Sequence, residues 1–433
     1  MKRNPYLTNI DICSGCGTCI SLCKNKALKI ELNSERGVYY PKVDISKCDD
    51  CSFCQKICPV SDGNIIKLSE KIFGRKITDI LVGNILGCYT GYSTSQRIRY
   101  ESASGGLITQ LLIFALEREL IDGALVTKMR EVDPLKTESF IARTKDEILE
   151  ASKSKYCPTP ANVALIEILK RNGKYAVVGL PCHIRGIRRA ELHNRELRER
   201  IVLHLGLFCH HTPNFWATEI LLKRMNIKSD DVVKLDYRGG GWPGFMDIKL
   251  RNGRNVSIDL QSYWRFLGLD FFISRGCLLC TDCLNELADI SFGDAWLPEF
   301  SKDNLGTSMI IVRNDVGMKI LKDAEFEGYI KLSKIDVKKV IQSQLDTLYL
   351  KKKVTPAYIN LSRRKIRYDN TLDPNVLEYF LAIFRALNNR IFTKRALRKC
   401  LIKVPSWALH AYYLVPNFII HKEASKLLRD YNC

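Results

Sequence analysis

Eight cysteines near the start of the chain form two copies of one spacing. The copies are Cys13, Cys16, Cys19, Cys23 and Cys48, Cys51, Cys54, Cys58. In such a run the first three thiolates reach three corners of a [4Fe–4S] cubane, and the fourth cysteine binds the other cubane. The spacing therefore predicts two cubanes with exchanged fourth ligands. Cys58 would complete the first cubane, and Cys23 would complete the second.

Two other uses of these cysteines fit the pattern less well. Zinc sites usually take two cysteines from each loop, and disulfide frameworks are typical of secreted proteins. The sequence shows no signal-peptide pattern, and a chain with 17 cysteines in a reducing compartment is expected to bind metal. We therefore expect iron–sulfur clusters rather than zinc or disulfides.

A third group of cysteines repeats the spacing without a fourth partner nearby. Cys277, Cys280 and Cys283 supply three thiolates, so a distant residue would have to complete a third [4Fe–4S] site. Cys182 and Cys209 both follow apolar runs typical of buried strands, and ligands collect at the carboxyl ends of strands in open α/β sheets. The Gly-Leu-Pro turn before Cys182 favours that residue as the fourth ligand. Zinc binding and free structural thiols are the alternatives.

The composition is that of a globular protein with an excess of basic residues. The 433 residues allow two or three domains, and the formal net charge is +20. Residues 351–433 contain 17 Lys or Arg against 5 Asp or Glu. Such an excess favours acidic partners, but no helix-turn-helix, zinc-finger or RNA-recognition pattern indicates nucleic acid. A solvated basic surface explains the same charges.

The basic C-terminal part also carries aromatic residues, a mixture that suits the surface of an anionic membrane. The aromatic residues are Trp407, Tyr412, Tyr413 and Phe418. Pro405 and Pro416 argue against one uninterrupted helix, and a helical segment packed on the protein's own core or on a partner subunit is the alternative. No run of about eighteen apolar residues would span a bilayer. We therefore expect a cytoplasmic protein, with at most a peripheral contact at the inner face of the membrane.

The cysteine runs and the apolar periodicity divide the chain into three segments. Residues 1–63 are predicted to form an α+β ferredoxin-type domain with two clusters. In residues 64–345, helical and strand patterns alternate, which favours an α/β domain with a mostly parallel sheet. Within it, Asn252-Gly253 predicts a hairpin. Residues 346–433 are predicted to form a basic helical extension.

Five further motifs occur in the order found in one known family. They are Ser102-Ala103-Ser104-Gly105-Gly106, Ser154-Lys155-Tyr156, Gly179-Leu180-Pro181-Cys182, RGGGWPG from Arg238, and RGCLLCTDCLNELADISFGDAW from Arg275. Together with the cysteine runs, they resemble the beta-subunit family of coenzyme F420 hydrogenases and dehydrogenases, which includes the plant 7-hydroxymethyl chlorophyll a reductases. The resemblance covers roughly residues 1–330, and His183 stands where many relatives have glutamine.

The resemblance implies a flavoprotein with bound FAD, in which several members exchange a hydride with coenzyme F420. The implied cofactor-binding residues are Ser102, Ser104, Gly105, Gly106, Lys155, Tyr156 and Arg238. The glycine-ending loop opens a helix, so its N–H groups could cradle a phosphate; an ordinary helix cap is the alternative. Lys155 could pair with a phosphate or with the flavin ring, and Arg238 could face an acidic ligand. A surface lysine and a plain turn are the alternatives.

Electron counting is consistent with these cofactors. A cubane carries one electron, a deazaflavin or nicotinamide gives two as a hydride, and a flavin converts between the two. The sequence thus predicts an oxidoreductase that passes electrons between reduced coenzyme F420, FAD and [4Fe–4S] clusters to a redox partner protein. A ferredoxin-fed reductase of an organic substrate and a non-catalytic electron-transfer subunit of a larger complex are the alternatives. No residue is assigned a catalytic role.

Overall fold

The computed structural model describes residues 10–77, 79–362 and 368–431. The strands within these ranges are β1 (Leu28–Asn33), β2 (Val38–Val43), β3 (Gly87–Ser93), β4 (Gly123–Met129), β5 (Thr137–Ala142), β6 (Tyr175–Gly179), β7 (Ile201–Leu207), β8 (Val232–Asp236), β9 (Phe245–Leu250), β10 (Asn255–Asp259), β11 (Ile290–Asp294), β12 (Ser308–Val312) and β13 (Ile330–Lys334).

The helices of the same ranges are α1 (Thr18–Ser21), α2 (Phe53–Lys56), α3 (Ile65–Phe73), α4 (Gln96–Tyr100), α5 (Leu107–Glu117), α6 (Lys145–Glu150), α7 (Leu165–Lys170), α8 (Pro181–Glu191), α9 (Arg195–Arg200), α10 (Phe215–Arg224), α11 (Leu260–Leu267), α12 (Arg275–Leu278), α13 (Asp315–Phe326), α14 (Val337–Ser343), α15 (Leu345–Tyr349), α16 (Thr355–Leu361), α17 (Val376–Ile391), α18 (Arg395–Lys403) and α19 (Ser406–Tyr431). A π-helical turn, Leu350–Val354, joins α15 to α16.

The main sheet is mixed, so the prediction of a mostly parallel sheet was wrong. In the described part of the chain its order is β13-β3-β12-β11-β7-β6-β4-β5. The central strands β11, β7, β6 and β4 are parallel, and the pairs outside them are antiparallel. The prediction failed at the edges. There, β4 turns back into β5 through a short connection, and β3 pairs with strands distant in sequence.

The centre of this sheet is buried on both faces. β6 and β7 are nearly continuous apolar runs, as expected for strands covered on both sides. α5 and α13 cover one face, where Leu111, Leu205 and Ile310 belong to one apolar cluster. α7 and α8 cover part of the other face, where Val177 packs with Ile184. The parallel strands consequently end at one edge of the sheet, where the candidate site lies.

Two smaller antiparallel sheets flank the main one. β1 pairs with β2 in the N-terminal module. β10, β9 and β8 form a three-stranded sheet in the described residues, and β9 and β10 pair across the turn that contains Asn252 and Gly253. The hairpin predicted from the Asn-Gly pair is confirmed.

The C-terminal part is helical, as the sequence predicted. α19 continues through Pro416, so the interruption predicted at that proline is absent. The chain does leave the helical conformation at Pro405, because α18 ends before it and α19 begins after it. Proline removes one N–H from the helical ladder, and Asn417 Nδ2 donates to the Tyr413 carbonyl one turn back, at 2.6 Å. Within the described ranges, every helix is too short or too polar to cross a membrane.

Candidate functional site

The first cysteine run surrounds a small cavity beside α1. Cys13, Cys16, Cys19 and Cys58 all line this cavity. Burial, together with the thiols of Cys16 and Cys58, raises the pKa of Cys13, and burial followed by the Cys16 thiol raises the pKa of Cys58 to about 12. Crowded, buried thiols resist ionisation unaided, whereas bound metal deprotonates them. These four residues therefore suit a cubane, and one of them comes from the second run.

The second cysteine run lies nearer to the surface. Burial raises the pKa of Cys54 to about 11, and the neighbouring thiols of Cys51, Cys48 and Cys23 add to the effect. Cys51 is exposed, and Cys23, Cys48 and Cys54 are partly exposed. Cys23 comes from the first run, so the two runs exchange their fourth cysteines in space. This group is the thiol group that a second protein could approach most closely.

A third group of thiols forms where β6 and β7 end. Burial and several nearby thiols raise the pKa of Cys182 well above its usual value. The thiols that act on it are Cys16, Cys277, Cys209 and Cys280. Burial is the main cause that raises the pKa of Cys209, and the thiols of Cys277 and Cys280 raise it further. Both strand-end cysteines, Cys182 and Cys209, therefore lie near Cys277 and Cys280.

Cys283 has different surroundings from the other two cysteines of its motif. Its side chain is 1% exposed and belongs to an apolar cluster with Cys88, Leu284 and Met309. Its backbone is close to the third thiol group, since Cys209 N–H donates to the Cys283 carbonyl at 2.8 Å. The thiol packs among core side chains, and together with the thiols of Cys280, Cys277 and Cys209 it acts on the ammonium of Lys351.

The described residues contain no group of three or more His, Cys, Asp or Glu side chains placed to hold one single metal ion. In a cubane each thiolate binds a different iron at a different corner, so its ligands stand further apart than those of one ion. Each of the three thiol groups has four members, which is the ligand count of a cubane.

A cavity of about 790 Å³ opens at the same edge of the main sheet. Ligand sites typically have volumes of about 300–1,000 Å³. Six of the seven residues that the resemblance assigned to cofactor binding line the cavity: Ser102, Ser104, Gly106, Lys155, Tyr156 and Arg238. Gly105 faces the sheet instead, because a Cβ atom there would lie 2.5 Å from the Gly91 carbonyl oxygen.

The serine side chains of the loop before α5 are engaged within the protein. Ser102 Oγ donates to a carbonyl of α4 at 2.6 Å, and Ser104 Oγ donates to the Thr307 carbonyl at 3.0 Å. Gly106 has a φ of +75°, which favours glycine, and α5 begins directly after it. The first turn of α5, including Ile108, lines the cavity. Its N–H groups have no partner within the helix and suit a phosphate.

Lys155 holds the loop around it in place. Its Nζ donates to the carbonyls of Ala151, Ser152 and Lys153 at 2.5, 2.6 and 2.9 Å. Burial lowers the pKa of Lys155 to about 7. Because all three N–H bonds of the ammonium have acceptors, the side chain shapes the cavity wall. This geometry does not favour the phosphate contact considered from the sequence.

Arg238 ties three parts of the cavity wall together. Its guanidinium is almost fully buried; it pairs with Asp294 at 3.1 Å, donates to Tyr156 Oη at 3.1 Å and also donates to the Ala103 carbonyl. Burial opposes the charge, but the Asp294 carboxylate outweighs it and raises the pKa of Arg238. Its Nε has no hydrogen-bond partner among the described residues. Arg238 is thus charge-balanced within the protein, with one donor left over.

The cavity reaches the third thiol group. Cys209, His210 and His211 lie on its wall. His210 Nε2 and His211 Nδ1 are buried and have no hydrogen-bond partner in the part of the chain that the structure describes. By contrast, both ring nitrogens of His183 and of His204 meet protein groups. The wall beside the thiols therefore contains two buried ring nitrogens that the described residues leave unpaired.

Tight packing joins the third thiol group to the first. Asn162 is fully buried; its N–H donates to the Cys16 carbonyl at 2.9 Å, and its Nδ2 donates to the carbonyl of His183, next to Cys182, at 2.9 Å. A Cβ atom at Gly186 would lie 2.4 Å from a side-chain oxygen of α1, so α8 and α1 meet at that glycine. The three thiol groups therefore lie in the series third, first, second, starting from the cavity.

The C-terminal helices close another side of the cavity. Asp346 in α15 and Tyr413, Asn417 and His421 in α19 line it, and the His421 ring lies 3.0 Å from the Asp346 carboxylate. No residue of α19 was assigned to the cavity from the sequence, whose composition suggested either a membrane-surface segment or a helix packed on the protein's own core or on a partner subunit. The four-residue spacing of the three α19 residues was the available signal, since it places them on one helix face.

The fold and the cysteine motifs place this protein among iron–sulfur oxidoreductases. Residues 12–61 match the family described as a 4Fe-4S dicluster domain. Residues 88–166 and 172–338 match the N-terminal and C-terminal parts of the coenzyme F420 hydrogenase/dehydrogenase beta subunit. The chain belongs to the coenzyme F420 hydrogenase/dehydrogenase beta-subunit family.

Three relatives illustrate the range of this family. The chain is 28% identical over 351 residues to the coenzyme F420-dependent sulfite reductase of Methanocaldococcus jannaschii, covering 75% of this chain and 48% of that one. It is 26% identical to the beta subunit of the F420-dependent formate dehydrogenase of the same organism, over 60% of this chain and 65% of the relative. It is 28% identical to the coenzyme F420 hydrogenase subunit beta of Methanothermobacter thermautotrophicus, over 65% and 97%. The chain thus spans about half of the sulfite reductase.

A solved structure shares the fold. It is a chain of the F420-reducing [NiFe] hydrogenase complex from Methanosarcina barkeri, with a TM-score of 0.52 and 23% sequence identity. The match covers 68% of this chain and 99% of that chain.

Proposed function

We propose that this chain is an iron–sulfur flavoprotein that passes electrons between reduced coenzyme F420, FAD and [4Fe–4S] clusters to a redox partner protein. One observation carries the proposal: the large cavity has the first turn of α5 on one wall and Cys209 of the third thiol group on another. A cofactor in this cavity would lie next to a cluster. The F420 enzymes among the relatives support the choice of hydride carrier.

The cavity residues fit FAD in two respects. The cavity has the volume of a cofactor site, and the first turn of α5 offers N–H groups for a phosphate. When bound, FAD would supply the conversion between hydride and single-electron transfer. Arg238 would fix the wall through Tyr156 and the loop before α5, and Lys155 would fix the turn after α6.

Three cubanes account for twelve of the cysteines. The first would be held by Cys13, Cys16, Cys19 and Cys58, and the second by Cys48, Cys51, Cys54 and Cys23. For the third we propose Cys182, Cys209, Cys277 and Cys280, because Cys277 and Cys280 act on both strand-end thiols. After burial, the groups that act most strongly on the Cys283 thiol are instead Lys352, Asp282, Lys351 and Glu286. This set replaces Cys283 of the sequence-based set by Cys209 and retains Cys182.

The three thiol groups provide a route from the cavity to the protein surface. Cys209 lies at the cavity wall, Cys16 acts on Cys182 across the contact between α8 and α1, and Cys51 is exposed. The second cubane would therefore meet the redox partner. The division into a ferredoxin-type domain (1–63), an α/β domain (64–345) and a helical extension (346–433) is part of the same proposal.

Anaerobic mixing with reduced coenzyme F420 tests the hydride carrier. We expect protein reconstituted with FAD to lose its flavin absorbance within one turnover, and the cluster absorbance to bleach afterwards. If reduced ferredoxin reduces both chromophores while reduced coenzyme F420 reduces neither, the chain is the ferredoxin-fed reductase of an organic substrate. If no FAD binds, it is an electron-transfer subunit.

A further inference from the structure

The exposed faces of α17 and α19 carry apolar stripes that the proposed function does not use. On α17 the exposed apolar residues recur at helical spacing and are Val376, Phe380, Ile383, Phe384, Leu387 and Ile391, with exposures from 37% to 71%. Spacings of three and four residues place them on one side of the helix. The opposite side of α17 is the packed one, since Leu381 and Ala382 belong to the core.

α19 has the same organisation. Its exposed apolar residues are Trp407, Leu414, Val415, Phe418 and Ile419, of which Trp407 and Phe418 are 74% and 73% exposed. Ile420 and Ala424 pack in the core on the other side. Phe384 of α17 stacks on Tyr412 of α19 with ring centroids 5.8 Å apart. The two stripes therefore adjoin and form one surface, called here the α17–α19 face.

The exposed charges of the C-terminal helices α17, α18 and α19 have almost one sign. The exposed basic residues in residues 376–431, all of which the structure describes, are Arg390, Lys394, Arg395, Lys399, Lys403, Lys422, Lys426 and Arg429. Of the carboxylates in the same described range, Glu378 is buried, Glu423 is partly buried and pairs with Lys426, and Asp430 is exposed. Lys422 and Lys426 continue the α19 stripe at four-residue spacing after Phe418.

We propose that the α17–α19 face docks on an anionic lipid bilayer. Exposed aromatic and aliphatic side chains enter the headgroup region, and lysines and arginines beside them meet lipid phosphates. A complementary protein would need an acidic rim around an apolar patch, whereas an anionic bilayer offers both properties everywhere on its surface. The same helix lines the large cavity through Tyr413, Asn417 and His421, so docking would bring the cavity close to the membrane.

Co-sedimentation of the full chain with lipid vesicles tests the docking face. We expect the protein to sediment with phosphatidylcholine vesicles that contain one third phosphatidylglycerol, and recovery to fall as salt screens the charges. The double variant Trp407→Ser/Phe418→Ser should lose at least tenfold in vesicle affinity. Phe326→Ser is the matched control, because Phe326 is 92% exposed at the end of α13, away from this face, and it should bind normally.

Charge reversal provides a second variant that leaves apolar packing unchanged. Lys422→Glu/Lys426→Glu should weaken binding to anionic vesicles by roughly tenfold or more, while reversal at the exposed Lys302 and Lys331 should not. The proposal is overturned if the unmodified chain stays in the supernatant at low salt, or if both face variants sediment normally. It is also overturned if the chain forms a dimer that the Trp407→Ser/Phe418→Ser variant abolishes, because the face would then be a protein interface.

A different observation concerns a buried cation beside the third thiol group. Lys351 is 4% exposed and comes from the π-helical turn Leu350–Val354, a conformation often found at functional sites. Its Nζ donates to the Cys277 carbonyl at 3.5 Å. Among the described residues no carboxylate lies within ion-pairing distance of Lys351, whereas the next residue, Lys352, pairs with Glu286 at 2.6 Å.

The charge of Lys351 faces thiols instead of a carboxylate. The groups that act most strongly on its ammonium, after burial, are Cys280, Cys277, Cys209 and Cys283. An isolated ammonium is costly to bury, so this lysine needs a negative partner. A cubane with four thiolate ligands carries net negative charge, and nearby charge is one determinant of cluster potential. Lys351 also lies beyond the residues that match the family, which end at 338.

We infer that Lys351 is a positioning residue that raises the reduction potential of the third cluster, which rests on the proposed ligand set for that cluster. Uptake of one electron adds a negative charge beside the ammonium, so the reduced cluster gains more from Lys351 than the oxidised one does. The extension would in this way set how readily the third cluster accepts an electron.

Redox titration followed by electron paramagnetic resonance tests the role of Lys351. Lys351→Met should lower the reduction potential of the third cluster by about 59 mV or more, which for one electron is a tenfold change in the reduction equilibrium. Lys351→Arg should stay near the original value, and Lys331→Met controls for loss of a surface charge. Iron content distinguishes a failure of the Lys351 proposal from the absence of the third cluster. Unchanged potential in Lys351→Met with full iron overturns the role of Lys351, whereas a parent protein with about eight irons removes the third cluster itself.

Discussion

Cys209→Ser is expected to lower the iron content from about twelve to about eight atoms per chain, because each cubane holds about four irons. Cys209 lies at the end of β7, and its thiol is close to those of Cys277 and Cys280. Serine keeps the size of the side chain but binds iron far less strongly than a thiolate does. Iron and sulfide assays on anaerobically purified protein, with the visible spectrum, measure the loss.

Cys283→Ser is the matched control for this experiment. Cys283 belongs to the same sequence motif, but its thiol packs with Cys88 and Met309 in the core. We expect Cys283→Ser to retain about twelve irons and to lose some stability. If Cys283→Ser loses the cluster and Cys209→Ser retains it, the proposed ligand set is incorrect and the set read from the sequence motif holds.

Ile108→Glu is expected to weaken FAD binding by about a hundredfold or more, since a carboxylate in the first turn of α5 would repel the cofactor phosphates that this helix end attracts. Ile108 lines the cavity and is partly exposed there. An acidic residue in a first helical turn favours the helix itself, so the fold should persist.

The matched control is Ile108→Gln, because glutamine has nearly the shape of glutamate without its charge. We expect its affinity for FAD to lie within about tenfold of the parent affinity, since it lacks the repulsion at the helix start. Fluorescence titration with FAD measures both variants, and circular dichroism checks the fold. Equal affinity in the Glu and Gln variants would mean that the phosphates bind elsewhere in the cavity. Gly105 is a poor probe, since any side chain there meets the Gly91 carbonyl.

Sequence reasoning succeeded where the signal is local. The duplicated cysteine run and the Asn252-Gly253 hairpin depend on spacings of a few residues, and the apolar runs of β6 and β7 reflect burial on both faces. The edges of the main sheet depend on long-range pairing instead. β3 pairs with β12 and β13, which lie more than two hundred residues away in sequence. The residues of β3 do not indicate which strands it pairs with.

The candidate site shows the same division. The motifs identified six residues that line the cavity, but their hydrogen bonds could not be read from the sequence. The Lys155 ammonium donates to three carbonyls, and the Arg238 guanidinium pairs with Asp294 and donates to Tyr156. Likewise, the spacing of the third cysteine motif does not reveal that Cys283 packs in the core. These features depend on side-chain direction, which tertiary packing decides.

A cofactor count on the anaerobically purified 433-residue chain tests the proposed function most directly. Iron, acid-labile sulfide and acid-released flavin should be measured per chain, with the flavin identified by chromatography. We expect about twelve irons, in three cubanes, and one FAD per chain. Eight irons without flavin, after reconstitution with both iron–sulfur precursors and FAD, would contradict the proposed function and leave a two-cluster electron carrier.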